Sequence, residues 1–529
     1  MENMANARSG APEYQHARPI NRNFRLNLRR LLLLSAALAT FPTWAATWGV
    51  VPTLSVGETY TDNVSLTPAA SKQSAWVTDV VPGISVAATG AGLRFKASYN
   101  PDITYGGGGQ GDGKIFQRGN AIGTAELAKQ LLFLDFGAKV DQYNVSLQGP
   151  LTTSNVNTTG NRATVATYSA SPYLRHDFGS DVHAEARFTG SMVNSDDQSR
   201  LPNSTSDRVD LRLNSGPAYK LLTWNLDYLK GTIDDGNEQD KISTEVVSAN
   251  AKRLITPTVG LLAQAGYDSY KIGAISPPLE GASWSAGFDW TPSPRTRFAA
   301  TAGRRFYGDD YFLDFSHRTR LTTWSAGYSH YVTSTRSEFF VLAPTTSAGY
   351  LNTLFSSQYP DPVARQKAVE EYISRTGLPP SLSGPTNFFS NQLFLAKRWQ
   401  ASAGILGVRN VLIANVFKER REALGGNLNS PGTGDFAASN TIDQTGTSFQ
   451  WNWRITGQSA FNLGASYSRN EFSGTSRVDN VKYVGMGISR QFEPRLTGSL
   501  NYRRQQNDSS ESAGAYTENA VFGALQMRF

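Results

Sequence analysis

The sequence predicts an all-β fold: a transmembrane antiparallel β-barrel of about 22 strands, with 20 as the nearest alternative, carrying one short loop helix. Three observations predict it. First, apolar and polar residues alternate, as where Val521, Gly523, Leu525, Met527 and the terminal Phe529 interleave with Phe522, Ala524, Gln526 and Arg528. A period of two sends successive side chains to opposite faces of a strand. Second, such segments are joined alternately by short turns and long polar loops, the arrangement of outer-membrane barrels. Third, only 39% of residues are hydrophobic and mean hydropathy is −0.37. Beyond the N-terminus no run approaches the ~20 apolar residues a membrane helix needs.

Residues 1–45 read as a secretory signal with an N-terminal extension. Arg22, Arg25, Arg29 and Arg30 precede the apolar stretch Leu31–Ala39, and small residues follow at Thr43 and Ala45. That order of positive flank, short apolar core and small residues is what a signal peptidase recognises. Cleavage after Ala45 or Ala46 leaves Trp48 opening the first strand, with 46–529 as the barrel. The segment also explains most of the +7 net charge. It holds six Arg and two Glu, leaving 44 basic and 41 acidic residues in the remainder. A nucleic-acid partner is not expected from so even a balance. With no cysteine, a disulfide framework and a cysteine-linked lipid anchor are both excluded.

Strand by strand, the outward set starts at Val50, Pro52, Leu54 and Val56 and resumes at Leu93, Phe95, Ala97 and Tyr99 after Gly90-Ala91-Gly92. Leu134, Phe136, Ala138 and Val140 come next, then Val182, Ala184, Ala186 and Phe188. Later runs include Trp284, Ala286, Phe288 and Trp290, then Phe461, Leu463, Ala465 and Tyr467. Their opposite faces carry charges of both signs, which describes a wet lumen rather than a packed core. Short turns such as Thr291–Pro294 and Glu493-Pro494 belong to the periplasmic end. The long loops Thr61–Ala75, Tyr105–Asn120, Ser146–Asn161, Ser195–Asp207, Gly425–Asn440 and Gln506–Ala515 belong outside. Ser390–Arg421 resists phasing, which is why 20 strands compete with 22. Trp224, Trp290, Trp451 and Trp453 fall near short turns, where an interfacial girdle sits.

The long loop 337–387 holds a helix signal over 362–375: Asp361 as N-cap, Pro362 at the first helical position, and Gly377 beyond the end. A surface helix is the expected reading, and a constriction folded into the lumen is the alternative.

Several motifs then carry a family resemblance. They are Tyr60-Thr61-Asp62-Asn63, Val81-Pro82-Gly83, Gly266-Tyr267-Asp268, Trp290–Thr296, Gly303–Gly308, His317–Arg320, Lys397-Arg398 and Gly407–Asn410. With these the chain resembles the porin-like outer-membrane β-barrel proteins associated with exosortase/PEP-CTERM systems, over about 47 to 529. The resemblance implies a part in moving or anchoring extracellular polysaccharide, with exopolysaccharide and its export machinery as partners beside outer-membrane lipid and lipopolysaccharide. At the C-terminus, Ala524 stands where such barrels usually place glycine, with Gly523 beside it.

Catalysis is not expected, and neither is a cofactor or a bound metal. The histidines are few and scattered (His16, His176, His183, His317 and His330), and no nucleophile-elbow pattern accompanies them. Gly106–Gly111 satisfies G-x-G-x-x-G but runs into Asp112-Gly113-Lys114 and not into a helix, so the dinucleotide reading fails. The candidate functional residues line the lumen: Arg305, Arg318 and Arg320, with Asp314, Asp289, Glu185, Arg187 and Arg212. Phase follows from Phe298, Leu313 and Phe315 facing lipid. The opposite choice would put guanidinium groups into the bilayer, at about 2–4 kcal/mol each near its middle. Three arginines on one hairpin could sort anions. The competing reading is neutralisation by the acids on the same wall.

Overall fold

The computed structural model describes residues 46–529 apart from 107–112, 237–240, 274–276, 341–346, 357–364, 366–367, 370–371, 374–385, 391, 425–433 and 438. The signal segment 1–45 and most of the Gly106–Gly111 run lie outside the described residues. One sheet contains every strand segment. β1 is Ala46–Thr61 and β2 Ala75–Gly90; β3 runs Leu93–Tyr99 and continues as Asp102–Gly106, and β4 runs Lys114–Phe116 and continues as Gly119–Ala128. The two breaks face each other, where Pro101 has no N–H to give the ladder. There Asn100 donates instead to the Arg118 carbonyl at 2.8 Å.

From there the order is a plain meander: β5 Leu132–Asn144, β6 Arg162–Phe178, β7 Val182–Ser195, β8 Ser204–Ser215, β9 Leu222–Asp234, β10 Ile242–Thr256 and β11 Val259–Ile272. Next come β12 Leu279–Ser293, β13 Thr296–Arg305, β14 Gly308–Arg318, β15 Thr322–Ser334, β16 Leu393–Leu406 and β17 Asn410–Ala423. The last are β18 Thr441–Arg454, β19 Ser459–Phe472, β20 Val478–Glu493, β21 Leu496–Ser509 and β22 Tyr516–Arg528. Each strand pairs antiparallel with its neighbours in sequence, and β22 returns to β1 from Thr53↔Arg528 to Thr61↔Ala520. The result is a closed 22-stranded antiparallel barrel. Closure leaves no open edge, the condition for a sheet to span lipid.

Strand registers put the alternating apolar sets on the outside. Trp290, Phe298 and Phe315 pair across β12–β14, and Gly498, Leu525 and Val56 pair across β21, β22 and β1. Leu54, Leu211, Leu261, Phe288, Ile405, Phe449, Met486, Leu500 and Leu525 are all exposed there. An apolar band that encircles the molecule is stable against lipid and not against water. The protein is an integral outer-membrane barrel.

Some loops are shorter than the sequence suggests. The expected loop Tyr105–Asn120 is partly strand, because β3 and β4 both resume beyond their breaks. The ladder of β21 likewise extends to Ser509. The unphased stretch Ser390–Arg421 resolves into β16 and β17. Both faces of these strands carry apolar side chains: Ile405 and Val416 are exposed outside, while Leu406, Val411, Ile413 and Phe417 are buried inside. Inward packing erased the alternation.

Candidate functional site: a lumen with two walls

What the inner apolar residues pack against is the long loop between β15 and β16. It opens with α1 (Thr335–Glu338), whose N-cap Ser334 accepts a hydrogen bond from the Ser337 N–H. Arg336 then donates to Ser204 Oγ at 2.8 Å and to Ser191 O at 3.1 Å on β8 and β7. Phe339 and Phe389 join Val145, Val165 and Val193 in one buried cluster. Deeper, α2 (Ser347–Phe355) contributes Leu351, Leu354 and Phe355 to a cluster with Leu406, Val411 and Ile413. Those last three flank the short turn between β16 and β17, so the loop reaches the periplasmic end of the lumen. Within 362–375 the described residues Arg365, Ala368, Val369, Tyr372 and Ile373 are helical. Val369 is buried in that same cluster, and the Tyr372 hydroxyl binds Asn452 Oδ1 on β18. The expected surface placement is therefore corrected. The apolar face of this segment finds its partner inside the barrel.

A charged knot fastens the loop. Arg421, 1% exposed, bonds Glu419 on its own strand and reaches Glu338 Oε2 at 3.3 Å. Arg398 binds the other oxygen of Glu419. The Arg421 guanidinium also lies 5.0 Å from the Phe388 ring centre and 5.2 Å from that of Phe394. Burial raises the Glu338 carboxyl above its ordinary range, against the pull of Arg421. Burial likewise pushes Arg336 down to about 10, and it stays charged at neutral pH.

The loop between β5 and β6 folds inward as well. Leu147 N–H donates to Asp435 at 2.6 Å, Asn157 Nδ2 to Glu518 at 2.7 Å, and the Tyr516 hydroxyl to the Leu151 carbonyl at 3.0 Å. Beneath it lies a cavity of about 580 Å³ lined by neutral side chains such as Thr152, Gln450, Asn462 and Gln505, together with Arg118.

Away from those loop contacts, the wall from β5 to β14 carries exposed charges in pairs. Arg187 bridges Asp135 at 2.7 Å and Glu185 at 3.1 Å, and Arg175 reaches the second Glu185 oxygen at 3.1 Å. Arg208 meets Asp210 at 2.7 Å; Arg212 meets Asp227 at 2.9 Å. Further round, Asp289 takes Lys252 and, at 3.3 Å, Arg297, which also lies 3.7 Å from Asp314. Arg175, Arg208, Arg212 and Arg297 are each about half exposed inside the barrel, while Glu185, Asp210 and Asp289 lie beneath them.

The residues singled out in the sequence fall in several places. Glu185, Arg187, Arg212, Asp289 and Asp314 belong to this paired wall. Arg305 lies near the outer rim, 3.7 Å from Asp268 and 3.8 Å from Asp310. Arg318, at the other end of the hairpin, donates to Ser356 Oγ at 2.8 Å and so touches the inserted loop. Arg320 joins neither strand face. β14 ends at Arg318, and Arg320 is exposed in the turn closed by Thr319 N–H to the Thr322 carbonyl. Asp289 and Asp314 pair with Arg297, two residues into β13, which the same alternation would have found by counting back from Arg305. Glu338, Arg398, Glu419 and Arg421 were missed. Their signals were the doublets Phe339-Phe340 and Phe388-Phe389 and the inward apolar set of β17.

The histidines are dispersed: His183 Nδ1 meets Asp177 at 2.6 Å, His317 Nδ1 lies 2.8 Å from Thr296 Oγ1, and His330 Nε2 lies 2.6 Å from the Tyr328 hydroxyl.

No family model matches the chain. No curated protein sequence matches it either. Solved structures with a similar fold include the siderophore receptor PirA from Pseudomonas aeruginosa, at 10% identity and TM-score 0.44, covering 91% of this chain and 80% of that one. The FrpB iron transporter from Neisseria meningitidis aligns at 9% identity and TM-score 0.49, covering 90% and 81%. OccAB2 from Acinetobacter baumannii aligns at 11% identity and TM-score 0.33, covering 91% and 98%.

Proposed function

We propose that this protein is a passive outer-membrane channel, without catalytic activity, that conducts exopolysaccharide or related solutes in an exosortase/PEP-CTERM system. The observation that supports a channel is the hydrated wall. Arg175, Arg208, Arg212 and Arg297 stay half exposed within a closed barrel. Charges of both signs favour a water path over an apolar one. The polysaccharide link rests on the sequence resemblance. A general diffusion porin shares the hydrated wall and is the nearest alternative; a structural component of a surface-sorting system is the other.

Deletion of the gene separates the three. Loss of surface polysaccharide with retention in the periplasm is the outcome expected for export. Normal polysaccharide with slower uptake of small solutes would identify the porin, and no change in either would leave the structural role.

A further inference from the structure

The charged wall contains a neutral interval. Asn214, Asn225, Asn250 and Gln264 lie opposite one another on β8, β9, β10 and β11, in one unbroken line of register. With strands ~4.8 Å apart, this line of amides runs for ~14 Å around the wall. All four line a cavity of about 600 Å³, a volume typical of small-molecule sites. Asn250 donates weakly to Ser248 Oγ at 3.4 Å, and Gln264 Oε1 accepts from Ser285 at 3.3 Å. Asn250 Oδ1 and Gln264 Nε2 have no hydrogen-bond partner among the described residues. Each amide carries both donors and an acceptor, the combination that matches vicinal hydroxyls.

The same cavity holds Phe312, on the lumen face of β14 opposite Thr301. Its neighbours on that face, Asp310 and Asp314, are acids, yet Phe312 is 44% exposed. An aromatic ring left in water on a wet wall is unfavourable unless something apolar covers it. The charges at the borders are already engaged: Lys252 with Asp289, and Arg305 with Asp268 and Asp310. A bare anion therefore finds no unpaired cation among them.

We infer that the β8–β14 wall is a carbohydrate-binding track, which takes a neutral, polyhydroxylated sugar chain with a ring face on Phe312 and hydroxyls on the amide line. This deepens the channel reading and rests on it for its purpose, though binding itself does not require conduction. A sugar ring offers C–H groups on its faces and hydroxyls at its rim, so one ligand satisfies both halves of the cavity.

The test is isothermal calorimetry on the detergent-solubilised full chain, with short neutral gluco-, galacto- and manno-oligosaccharides as probes. Oligogalacturonate and polyethylene glycol of matching mass are the controls, and heat-modifiable gel migration verifies the fold of each variant. At least one neutral oligosaccharide is expected to bind. Phe312→Ala should weaken it at least tenfold, Phe312→Trp should restore it, and Asn250→Ala with Gln264→Ala should weaken it comparably. The track is overturned if no neutral oligosaccharide binds, if the acidic one or polyethylene glycol binds as well, or if folded Phe312→Ala binds unchanged. Planar-bilayer conductance of the same preparation tests the channel separately. Binding without conductance removes the channel and keeps the track, while conductance without binding does the reverse.

Discussion

Two arginine–carboxylate pairs on separate walls of the lumen use the same chemistry in different surroundings. Arg212 and Asp227 are 53% and 31% exposed and face water. Arg421 and Glu419 are 1% and 0% exposed, with the Phe388 ring that the inserted loop supplies and the Phe394 ring of β16 against the guanidinium. In water an ion pair is screened and contributes about 0–1 kcal/mol. Under cover, each charge has lost its hydration and depends on its partner, so removing one leaves the other stranded. The two walls therefore do different work. One keeps its paired charges in water, and the other holds them under the loop.

Removing the loop should have the largest effect. Replacing residues 341–385 by a short Gly/Ser linker should raise single-channel conductance several-fold in planar bilayers. An unchanged conductance would mean that the loop is not the constriction. Next in size is the pair itself. Arg421→Met should destabilise the docked loop by about 3–5 kcal/mol, read as a lower temperature for the gel-mobility transition or as faster proteolysis within the loop. Arg212→Met should cost at most about 1 kcal/mol, and equal effects would erase the distinction between the walls.

Acidity provides a third test. Glu338 has its carboxyl range raised by burial, so the docked loop favours the protonated form. Docking gains from this group in full below the ordinary value of 4.5 and loses it as pH rises through the raised range. Channels should therefore open less often as pH falls from neutral toward 4.5, and Glu338→Gln should flatten that dependence. The smallest effect is on selectivity. Changing Arg175, Arg208, Arg212 and Arg297 together to Gln should move the reversal potential in a salt gradient toward cations. Arg305→Gln with Arg318→Gln should move it less, because Arg305 is flanked by two carboxylates and Arg318 is held by Ser356.

The outer face of this barrel was almost wholly legible in the sequence, because lipid imposes one demand at every second residue. Phe95 and Phe136, placed outward by alternation alone, stack at 5.9 Å two strands apart. The lumen was legible only in phase. Alternation tells that Asp289 and Arg305 point inward but not whom they meet: Asp289 meets Lys252, 37 residues away, across two strands. Arg320 shows where counting fails, since the period of two ends with the strand and the turn begins at Thr319. The inserted loop shows the other limit. The cap, proline and glycine around 362–375 specify a helix, but nothing local says which apolar surface it will meet. That surface is Leu406, Val411 and Ile413, whose inward apolar side chains made β16 and β17 hard to phase in the first place.

The seam between β1 and β22 has a consequence for how this molecule is made. Thr61 bonds Glu518 at 2.7 Å across it, two residues 457 positions apart in the chain. Bonds between such distant positions form late, because the chain between them must first be ordered. Until then β1 presents a bare edge, with donors and acceptors that any other strand could capture. The first strand must be shielded from the moment it emerges until the last one arrives, so the wall is completed in a single final act, and a chain stalled before β22 is an open sheet rather than a smaller pore.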